Sequence, residues 1–457
     1  MLAVAAGVVA AGCSGHTTGA TAITQQSNGS FSAQLNAVGS CDTNCTAFMR
    51  WRVVGTSTWT ESASFTVGQV TNAPWSRTAT GLFPRAPYEY QACGKESAQS
   101  QFTCVGPDGT PATTQRFLAS RKFAYVPHGS SISQFAASES GLLTPLSPPT
   151  VAATGDGLWG IAVSPNGNSV YAVSEDSGKV EQYNVGSGGG LTPKSAGAVT
   201  AGLFPSYVAV RPDSRSVYVS LDVEGTGVPS PLAQFDAAAD GTLTAKSPAA
   251  VGSGERPIGP AVSPDGRSLY VASEQGVVQY DIDSAGKLTL KNPGTVGTTD
   301  GFDVAVSPDG RSVYVAAHRF GISGFVEQYD VTSGGRLVAK SPQSVPTGDP
   351  GAWGIAITPD GTSVYVANEG PGTGPPGSVS QFTVGTGGKL TAKSPATVSA
   401  GESPNDIAVS ADGKSVYVTD RSGGVVWQFS VGSGGKLSPK SPATVAGGAV
   451  FGVAVTP

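Results

Sequence analysis

The chain is poor in the residues that most often carry metal and nucleophile chemistry. Its 457 residues include three histidines and five cysteines, and all five cysteines lie among the first 104 residues. His128 and His318 stand apart, without the HxxxH or HExxH spacing of a metal site, and no GxSxG nucleophile motif occurs. We therefore expect neither a bound metal nor another cofactor.

Charge and helical periodicity are also scarce. Only 13% of the residues are charged, the net charge is -5 at pH 7, and the basic residues do not cluster. These features argue against nucleic acid as a partner. No stretch of a dozen residues repeats its apolar positions at helical spacing, whereas glycine (63) and proline (33) are frequent. The composition predicts an all-β chain of short strands and tight turns.

The sequence does contain an internal repeat. Residues 307–316 read SPDGRSVYVA, and close copies begin at positions 164, 211, 263, 358 and 410. The tyrosines that mark the copies, 44 to 52 residues apart, are Tyr125, Tyr171, Tyr218, Tyr270, Tyr314, Tyr365 and Tyr417. This spacing is typical of the four-stranded blade of a β-propeller.

Each copy reads as four strands, which we call a to d. In the fifth copy, strand a at 303–307 and strand b at 312–316 flank an Asp-Gly turn, and two further strands follow. The first copy begins with strand b, and residues 451–457 at the end of the chain read as a strand a without a strand b. The sequence therefore predicts a seven-bladed β-propeller over residues 122–457, closed by three strands from one end and one strand from the other.

Strand c of each blade carries a glutamine, and most strands d carry a lysine. The glutamines are Gln134, Gln182, Gln234, Gln279, Gln328, Gln381 and Gln428, and the lysines are Lys194, Lys246, Lys291, Lys340, Lys393 and Lys440. A feature of every blade serves the blade, so we interpret the glutamines as structural hydrogen-bonding groups. We interpret the lysines as charges on the outer edge that discourage the addition of another strand.

The repeat also resembles a known family. Residues 363–369, SVYVANE, and the SPDG turns are similar to the YVTN-type and lactonase (6-phosphogluconolactonase-like) seven-bladed propellers. The resemblance covers residues 122–457 and implies the same fold. This family includes lactone hydrolases, a muconate-cyclising enzyme and surface proteins without an assigned reaction, so the resemblance leaves the function open.

The strand order separates two faces of the predicted disc. The b–c and d–a loops lie on one side, the loop face, and the a–b and c–d turns lie on the other, the turn face. The loop face varies between blades, so we expect a functional site there. The candidate ligand-binding residues are Trp159, Trp353, Phe302, Phe451, Glu175, Glu274, His128, Asp303 and Asp406. For lactone hydrolysis, His318 or Glu369 would activate water. Arg319 or Arg421 would stabilise the oxyanion or hold a carboxylate or phosphate of the substrate.

The chain before the repeat has a different character. Residues 1–13 resemble a lipoprotein signal that ends at the lipidation site Cys13, with an unlipidated secretory signal as the alternative. Residues 14–30 are small and polar and read as a flexible tether. Residues 31–118 contain TGLFPRAPYEYQAC, which resembles the end of a fibronectin type III domain and implies a β-sandwich.

Residues 31–118 also hold the remaining four cysteines. An even number of cysteines in an exported chain predicts disulfides, here two bonds with three possible connectivities. We favour the local pairs Cys41–Cys45 and Cys93–Cys104.

These observations predict an extracytoplasmic protein at the cell surface or in the periplasm. It would touch the membrane only through a lipid on Cys13, and its propeller would be monomeric. The expected partner is a carbohydrate, a peptide or an envelope protein. The alternatives are an extracytoplasmic lactone hydrolase and an envelope spacer without a specific ligand. An ordered acid–base pair in the mouth of the loop face would favour the enzyme, and an open aromatic platform would favour binding.

Overall fold

The computed structural model describes residues 122–457, except for 224–229, 253–255, 298–299, 319–322, 371–375 and 449–450. Of residues 1–121 it describes the backbone of nine strands. The chain divides into two units, 1–121 and 122–457. Of the helices in the described part of the chain, none has the length and apolar character that a bilayer crossing requires.

The strands of the N-terminal unit pair into two antiparallel sheets, one of three strands and one of six. They are Ser14–Gln25, Phe31–Cys41, Cys45–Val53, Thr60–Glu61, Phe65–Val67, Val70–Leu82, Pro87–Glu96, Thr103–Cys104 and Gln115–Leu118. Cys93 lies opposite Cys104 in the register of two adjacent strands. The disulfides, the tether and the fibronectin-like sandwich stay predictions, and residues 1–13 with Cys13 lie outside the described residues.

Residues 122–457 form seven sheets, each with the order a-b-c-d, as predicted. Blades 1 to 4 comprise Ala454–Val455, Phe123–His128, Ser131–Ala137, Leu143–Ala152; Leu158–Val163, Ser169–Ser174, Lys179–Val185, Leu191–Pro193 with Val199–Thr200; Pro205–Val210, Ser216–Leu221, Pro231–Ala237, Leu243–Gly252; and Pro260–Val262, Ser268–Ser273, Gly276–Ile282, Leu288–Val296. Blades 5 to 7 comprise Gly301–Val306, Ser312–His318, Ser323–Val331, Leu337–Pro350; Ala352–Ile357, Ser363–Asn368, Ser378–Val384, Leu390–Ser399; and Pro404–Val409, Ser415–Asp420, Val425–Val431, Leu437–Ala446. Short 3-10 turns lie at Thr386–Gly388 and Ser433–Gly435.

The C-terminal strand closes the ring. Ala454 and Val455 pair with Tyr125 and Ala124 in blade 1, which joins the end of the repeat to its beginning. The prediction of three strands plus one is therefore confirmed, and the closure leaves blade 1 with the same four-stranded sheet as blades 3 to 7.

A tyrosine contact joins every blade to the next. Tyr314 of blade 5 is fully buried and donates its hydroxyl hydrogen to Gly388 O of blade 6 at 2.7 Å. The equivalent bond recurs in all seven blades and closes the ring from Tyr417 to Gly141. The recurrence of one tyrosine in each copy of the repeat thus reflects a bond between neighbouring blades.

A glutamine contact runs alongside it. The Gln328 Nε2 donates to Pro342 O of its own blade at 2.9 Å, and its Oε1 accepts from Leu390 N of the next blade at 2.9 Å. A leucine N–H of the following blade is bound in this way in all seven blades. The structural interpretation of the glutamines is confirmed.

The interpretation of the strand d lysines was wrong. Lys194, Lys246, Lys291, Lys340 and Lys393 are at most 8% exposed. Lys340 donates to Asp330 in strand c of its own blade and to Gly387 O of the next blade, the second bond being 2.7 Å long. The long apolar stem allows the ammonium group to reach this buried contact, so the lysine joins blades rather than guarding an edge.

Candidate functional site

Strand a bends at its loop-face end in several blades. In blades 2, 3, 5, 6 and 7 its pairing with strand b shifts register, at positions that include Trp159, Tyr207, Phe302, Trp353 and Asn405. Such a bulge re-aims the side chains of the extra residues and is frequent beside functional sites. We call these ends of strand a the strand-a tips.

The tips of blades 5 and 6 carry an aromatic cluster. The rings of Phe302 and His318 stack with centroids 4.1 Å apart and an interplanar angle of 2°. Trp353 meets both rings edge-on, 4.4 Å from Phe302 and 5.2 Å from His318. Phe302 and His318 are buried, whereas Trp353 is half-buried.

The hydrogen bond of His318 defines its tautomer. His318 Nδ1 lies 3.1 Å from Ala352 O, and a carbonyl oxygen can only accept. In the neutral ring the proton therefore sits on Nδ1, and Nε2 is the basic nitrogen. Burial lowers the pKa of His318, while Ala352 O, Glu369 and Asp300 act in the opposite direction. The net effect favours the neutral imidazole.

Glu369 is the centre of the polar part of the site. Its Oε1 accepts from Ser403 Oγ and from Arg421 Nη2, each at 2.8 Å, and its Oε2 accepts from Trp353 Nε1 at 2.8 Å. The side chains of Glu369 and Arg421 are 28% and 37% exposed, so solvent reaches the ion pair. Three donors from blades 6 and 7 thus fix one carboxylate in place.

Arg421 continues the site towards blades 1 and 2. Its guanidinium carbon lies 5.8 Å from the centre of the Phe451 ring, within the range of a cation–π contact. Phe451 in turn stacks on Trp159, with centroids 3.9 Å apart and an interplanar angle of 16°. Eight residues therefore form a continuous series of contacts, which we call the arc. They are, from one end to the other, Phe302, His318, Trp353, Glu369, Ser403, Arg421, Phe451 and Trp159.

Asp303 and Asp406 lie next to the arc and are held by the backbone, and their contact with a ligand stays a prediction. Each carboxylate accepts two backbone N–H bonds: Asp303 from Val304 and Ile355, and Asp406 from Ile407 and Val453. They occupy the strand position immediately after Phe302 and Asn405. The position before them on strand a holds Trp159, Phe302, Trp353 and Phe451 in four of the blades, and we call it the aromatic layer.

The other half of the loop face holds a separate ionic group. Arg256 pairs with Asp222 at 3.2 Å and with Glu274 at 2.9 Å. Nearby, burial raises the pKa of Glu175, and the charges of Asp176 and Asp222 raise it further. Two of the predicted ligand-binding residues, Glu175 and Glu274, thus belong to this group rather than to the arc.

His128 also lies apart from the arc. Its ring contacts Ser131 and Ser133 within blade 1, with Nε2 2.9 Å from Ser133 Oγ. Arg319 lies outside the described residues. Within the part of the chain that the structure describes, no three His, Cys, Asp or Glu side chains form a group that could hold a metal ion.

Sequence reasoning missed two members of this region. Ser403 carried no sequence signal, because a serine in a polar loop is unremarkable. Tyr207 could have been found by aligning the strand-a tips, since it takes the position of Asp303 and Asp406 in blade 3.

Comparisons with known proteins agree on the fold of this unit. The Choice-of-anchor I domain model matches residues 258–401. A proposed 6-phosphogluconolactonase from Bacteroides fragilis has a TM-score of 0.61 and 19% identity, over 74% of this chain and 98% of that one. The periplasmic gluconolactonase PpgL of Pseudomonas aeruginosa has a TM-score of 0.60 and 21% identity, over 74% and 99%. No curated protein matches the sequence. At these identities the likeness shows a lactonase-like seven-bladed propeller fold.

Proposed function

We propose that this protein is a lactone hydrolase whose site is the Glu369–Arg421 pair in the arc. The observation that carries the proposal is the ordered pair itself, held at 2.8 Å and partly exposed on the loop face. Hydrolysis of a lactone needs a base that activates water and a cation that stabilises the oxyanion. The gluconolactonase named among the structural neighbours performs that type of reaction on the same fold.

Glu369 Oε2 is the base in this proposal. A carboxylate oxygen accepts about two hydrogen bonds. Oε1 already has two donors, Ser403 and Arg421, whereas Oε2 has one, Trp353. The remaining acceptor position of Oε2 takes the proton of an attacking water. The water oxygen bonds to the lactone carbon, the ring C–O bond breaks, and the proton passes to the departing alkoxide to give the hydroxy acid.

Arg421 supplies the positive charge. The guanidinium group has five N–H donors, and one of its nitrogens is bound to Glu369. Its partial exposure leaves donors that can reach a lactone carbonyl oxygen placed over Phe451. Because charge-assisted hydrogen bonds strengthen as the oxygen becomes negative, Arg421 stabilises the transition state more than the bound substrate.

His318 has a supporting role. The ring is 4% exposed, lies against Phe302 and donates from Nδ1 to Ala352 O. This position behind Trp353 suits a residue that orients the indole, whose N–H in turn orients Glu369.

The test is hydrolysis of gluconolactone and a panel of other lactones by the full chain. We expect Glu369→Gln and Arg421→Met each to lower kcat/KM by about 100-fold, the usual effect of losing a transition-state contact. Arg256→Met is the matched control, since it breaks an ion pair on the opposite half of the same face. The absence of turnover by the wild-type protein, or an equal loss in Arg256→Met, would contradict the proposal.

A second candidate function is carbohydrate binding by the same arc. The stacked Trp159–Phe451 pair beside Arg421 favours it, because aromatic rings next to a polar group suit the faces and hydroxyls of a sugar. Binding of glycans that is lost in Trp159→Ala, in a protein without lactone turnover, would support this candidate. A peptide or an envelope protein as partner is tested in the same way: binding of that partner to the wild-type protein should be lost in Trp159→Ala.

We also propose that the protein is exported and anchored through Cys13. The supports are the signal-like residues 1–13 and the periplasmic location named for the Pseudomonas aeruginosa neighbour. Cys13→Ala is expected to release the protein from the membrane fraction of expressing cells. Retention of the variant protein in the cytosol, together with the wild type, would contradict export.

A further inference from the structure

The strand-a tips form a second layer on the propeller axis, one residue along the strand from the aromatic layer. Glycine alternates there with polar residues. In chain order from blade 2, with the C-terminal strand last, the residues are Gly160, Tyr207, Gly259, Asp303, Gly354, Asp406 and Gly452. Three polar residues, Tyr207, Asp303 and Asp406, therefore lie in this layer, in blades 3, 5 and 7.

The glycines allow this crowding. A Cβ atom added to Gly259 would lie 2.6 Å from Asp303 Cα, and one added to Gly354 would lie 2.9 Å from Asp406 Cα. Contacts this short do not occur between real side-chain and backbone atoms. The backbone of each polar tip thus packs directly against the glycine of the preceding blade, which brings the carboxyl groups close to the axis.

Each carboxyl group bridges two blades. Asp303 accepts from Val304 N of blade 5 at 2.8 Å and from Ile355 N of blade 6 at 3.0 Å. Asp406 accepts from Ile407 N of blade 7 at 2.8 Å and from Val453 N of the C-terminal strand at 2.8 Å. Asp406 thus contributes to the closure of the ring, and Asp303 joins the blades that hold Phe302 and Trp353.

No counter-charge from the described residues acts on the pair. The charge of Asp406 acts on Asp303, and both carboxyl groups act on Tyr207. Burial, and then Asp406, raise the pKa of Asp303 to about 8, although two backbone N–H donors oppose the shift. Burial likewise raises the pKa of Asp406 to about 6. Two such groups without a cation hold a proton more readily than they hold two charges.

We propose that Asp303 and Asp406 form a proton-binding pair on the axis, and that loss of its protons loosens the blade contacts beneath the arc. Ionisation places two negative charges on half-buried side chains whose hydrogen-bond partners are backbone N–H groups. Their repulsion acts on the bridges between blades 5 and 6 and between blade 7 and the C-terminal strand. The pair does not depend on the proposed lactone chemistry, because it would exist in a binding protein as well.

The sign of the pH effect follows from the raised pKa values. In the unfolded chain both aspartates titrate near pH 4. The stabilisation that the protonated forms contribute is therefore complete below about pH 4 and is lost as the pH rises through about 6 for Asp406 and about 8 for Asp303. We expect the midpoint of thermal unfolding of the full chain to fall over this range, and the fall to be smaller in Asp303→Asn and smallest in the double variant with Asp406→Asn.

A direct measurement avoids reliance on the variants, since an asparagine presents an amide group to one of two backbone donors and lowers stability at every pH. The wild-type protein with isotope-labelled aspartate carboxyl groups is titrated by NMR. Two carboxyl signals that titrate above about pH 5, one of them missing in Asp303→Asn, are the expected result.

Three results would overturn the proposal. One is that every carboxyl signal titrates below about pH 5. The second is that the unfolding midpoints of wild type and double variant run parallel over the whole pH range. The third is that added calcium raises the wild-type midpoint but not that of Asp303→Asn, which would assign the axis to a metal cation.

Discussion

The body of each blade and the strand-a tips differ in how far their residues repeat from blade to blade, although they belong to the same sheets. In the body the tyrosine and glutamine contacts recur in all seven blades and involve buried side chains. At the tips the aromatic layer reads Trp, Ser, Ile, Phe, Trp, Asn and Phe round the ring. The repeated contacts hold the disc together, and the residues that differ line the loop face, where the candidate site lies.

The two regions also differ in how their polar groups are satisfied. In the body the tyrosine hydroxyl and the glutamine amide are bound to fixed backbone partners in their own blade or the next one. Because these side chains are buried, water does not reach the bonds. In the arc Glu369 and Arg421 pair with each other and stay partly exposed. A substrate can therefore compete for the second kind of contact and not for the first.

The largest loss of unfolding free energy is expected when a glycine of a strand-a tip is substituted. In Gly259→Ala the new Cβ would lie 2.4 Å from Asp303 Oδ1 and 2.6 Å from its Cα. Because backbone atoms cannot yield, we expect the variant to lose about 3 kcal/mol or more of unfolding free energy. Urea unfolding followed by tryptophan fluorescence measures the loss.

Gly310 in a turn of the turn face is the control for this prediction. Its φ of +69° disfavours other residues, but the nearest atom to an added Cβ is 3.8 Å away. Gly310→Ala should therefore cost only about 1–2 kcal/mol, the penalty of the left-handed conformation. Equal losses of unfolding free energy in Gly259→Ala and Gly310→Ala would contradict the prediction. They would show that a Cβ atom at Gly259 meets no greater obstruction than one at Gly310.

The next largest loss of unfolding free energy is expected from the glutamine contact. Substituting it at two junctions compares the junction of blade 7 with blade 1, where the ring closes, with a junction elsewhere in the ring. Gln279→Leu removes the bonds to Pro293 O and Leu337 N, and Gln428→Leu removes those to Pro442 O and Leu143 N. Each leaves a buried donor without a partner, at a cost of about 1–3 kcal/mol. We expect similar losses of unfolding free energy for both variants and unchanged activity.

A markedly larger loss for Gln428→Leu would contradict that expectation. It would mean that the junction of blade 7 with blade 1 depends on this bond more than the other junctions do. The C-terminal strand, which pairs with blade 1, makes such a dependence unnecessary.

The body of the fold was predictable from the sequence because its contacts repeat. The spacing of tyrosines such as Tyr314 predicted the number of blades, and the missing first strand a predicted the closure. The lysines misled the prediction because the sequence pattern does not distinguish an exposed edge from a buried contact one blade away. Lys340 reaches Gly387 O, 47 residues further along the chain.

The arc was predictable only as a set of candidates. Glu369 and Arg421 are 52 residues apart, and their pairing depends on the course of two loops of different length. Glu274 was an equally good candidate by position, yet it pairs with Arg256 on the other half of the face. The strand order predicts which face a loop residue occupies, but side-chain pairing between blades requires the structure.

A smaller effect, on kcat/KM, is expected from Trp353 and not from Trp427. Trp353→Phe keeps the aromatic contact and removes the bond to Glu369 Oε2. A hydrogen bond to a charged group is worth about 1.5–3 kcal/mol. Because Glu369 is partly exposed, water can replace part of the lost bond. We therefore expect kcat/KM to fall about tenfold. Steady-state kinetics on the lactone that the wild type hydrolyses fastest measures the change.

Trp427→Phe is the matched substitution. The Nε1 of Trp427 is buried and has no hydrogen-bond partner among the described residues. Its removal should leave kcat/KM unchanged and raise the unfolding free energy by about 1 kcal/mol, the usual cost of burying a polar group unpaired. A tenfold loss of activity in this variant would show that the effect of Trp353→Phe is not specific to the arc.

The smallest effect tests the electrostatic contrast between the axis and the turn face. In the turn face, burial raises the pKa of Asp412, but hydrogen bonds from Ser410 Oγ, Lys122 and Lys414 N outweigh it and lower the pKa to about 2. The stability contributed by this carboxylate is therefore present above about pH 4, the unfolded value, and is lost as the pH falls through about 2.

Asp412→Asn should accordingly lower the unfolding free energy at pH 7 by no more than about 1 kcal/mol, since the pair with Lys122 is partly exposed. The difference from wild type should shrink as the pH falls below about 4, which denaturant unfolding at a series of pH values measures. This pH dependence is opposite in direction to that expected for Asp303→Asn. If both variants changed in the same direction with pH, the axial carboxyl groups would behave as ordinary carboxylates bound to backbone amides, and the distinction between the two regions would rest on packing alone.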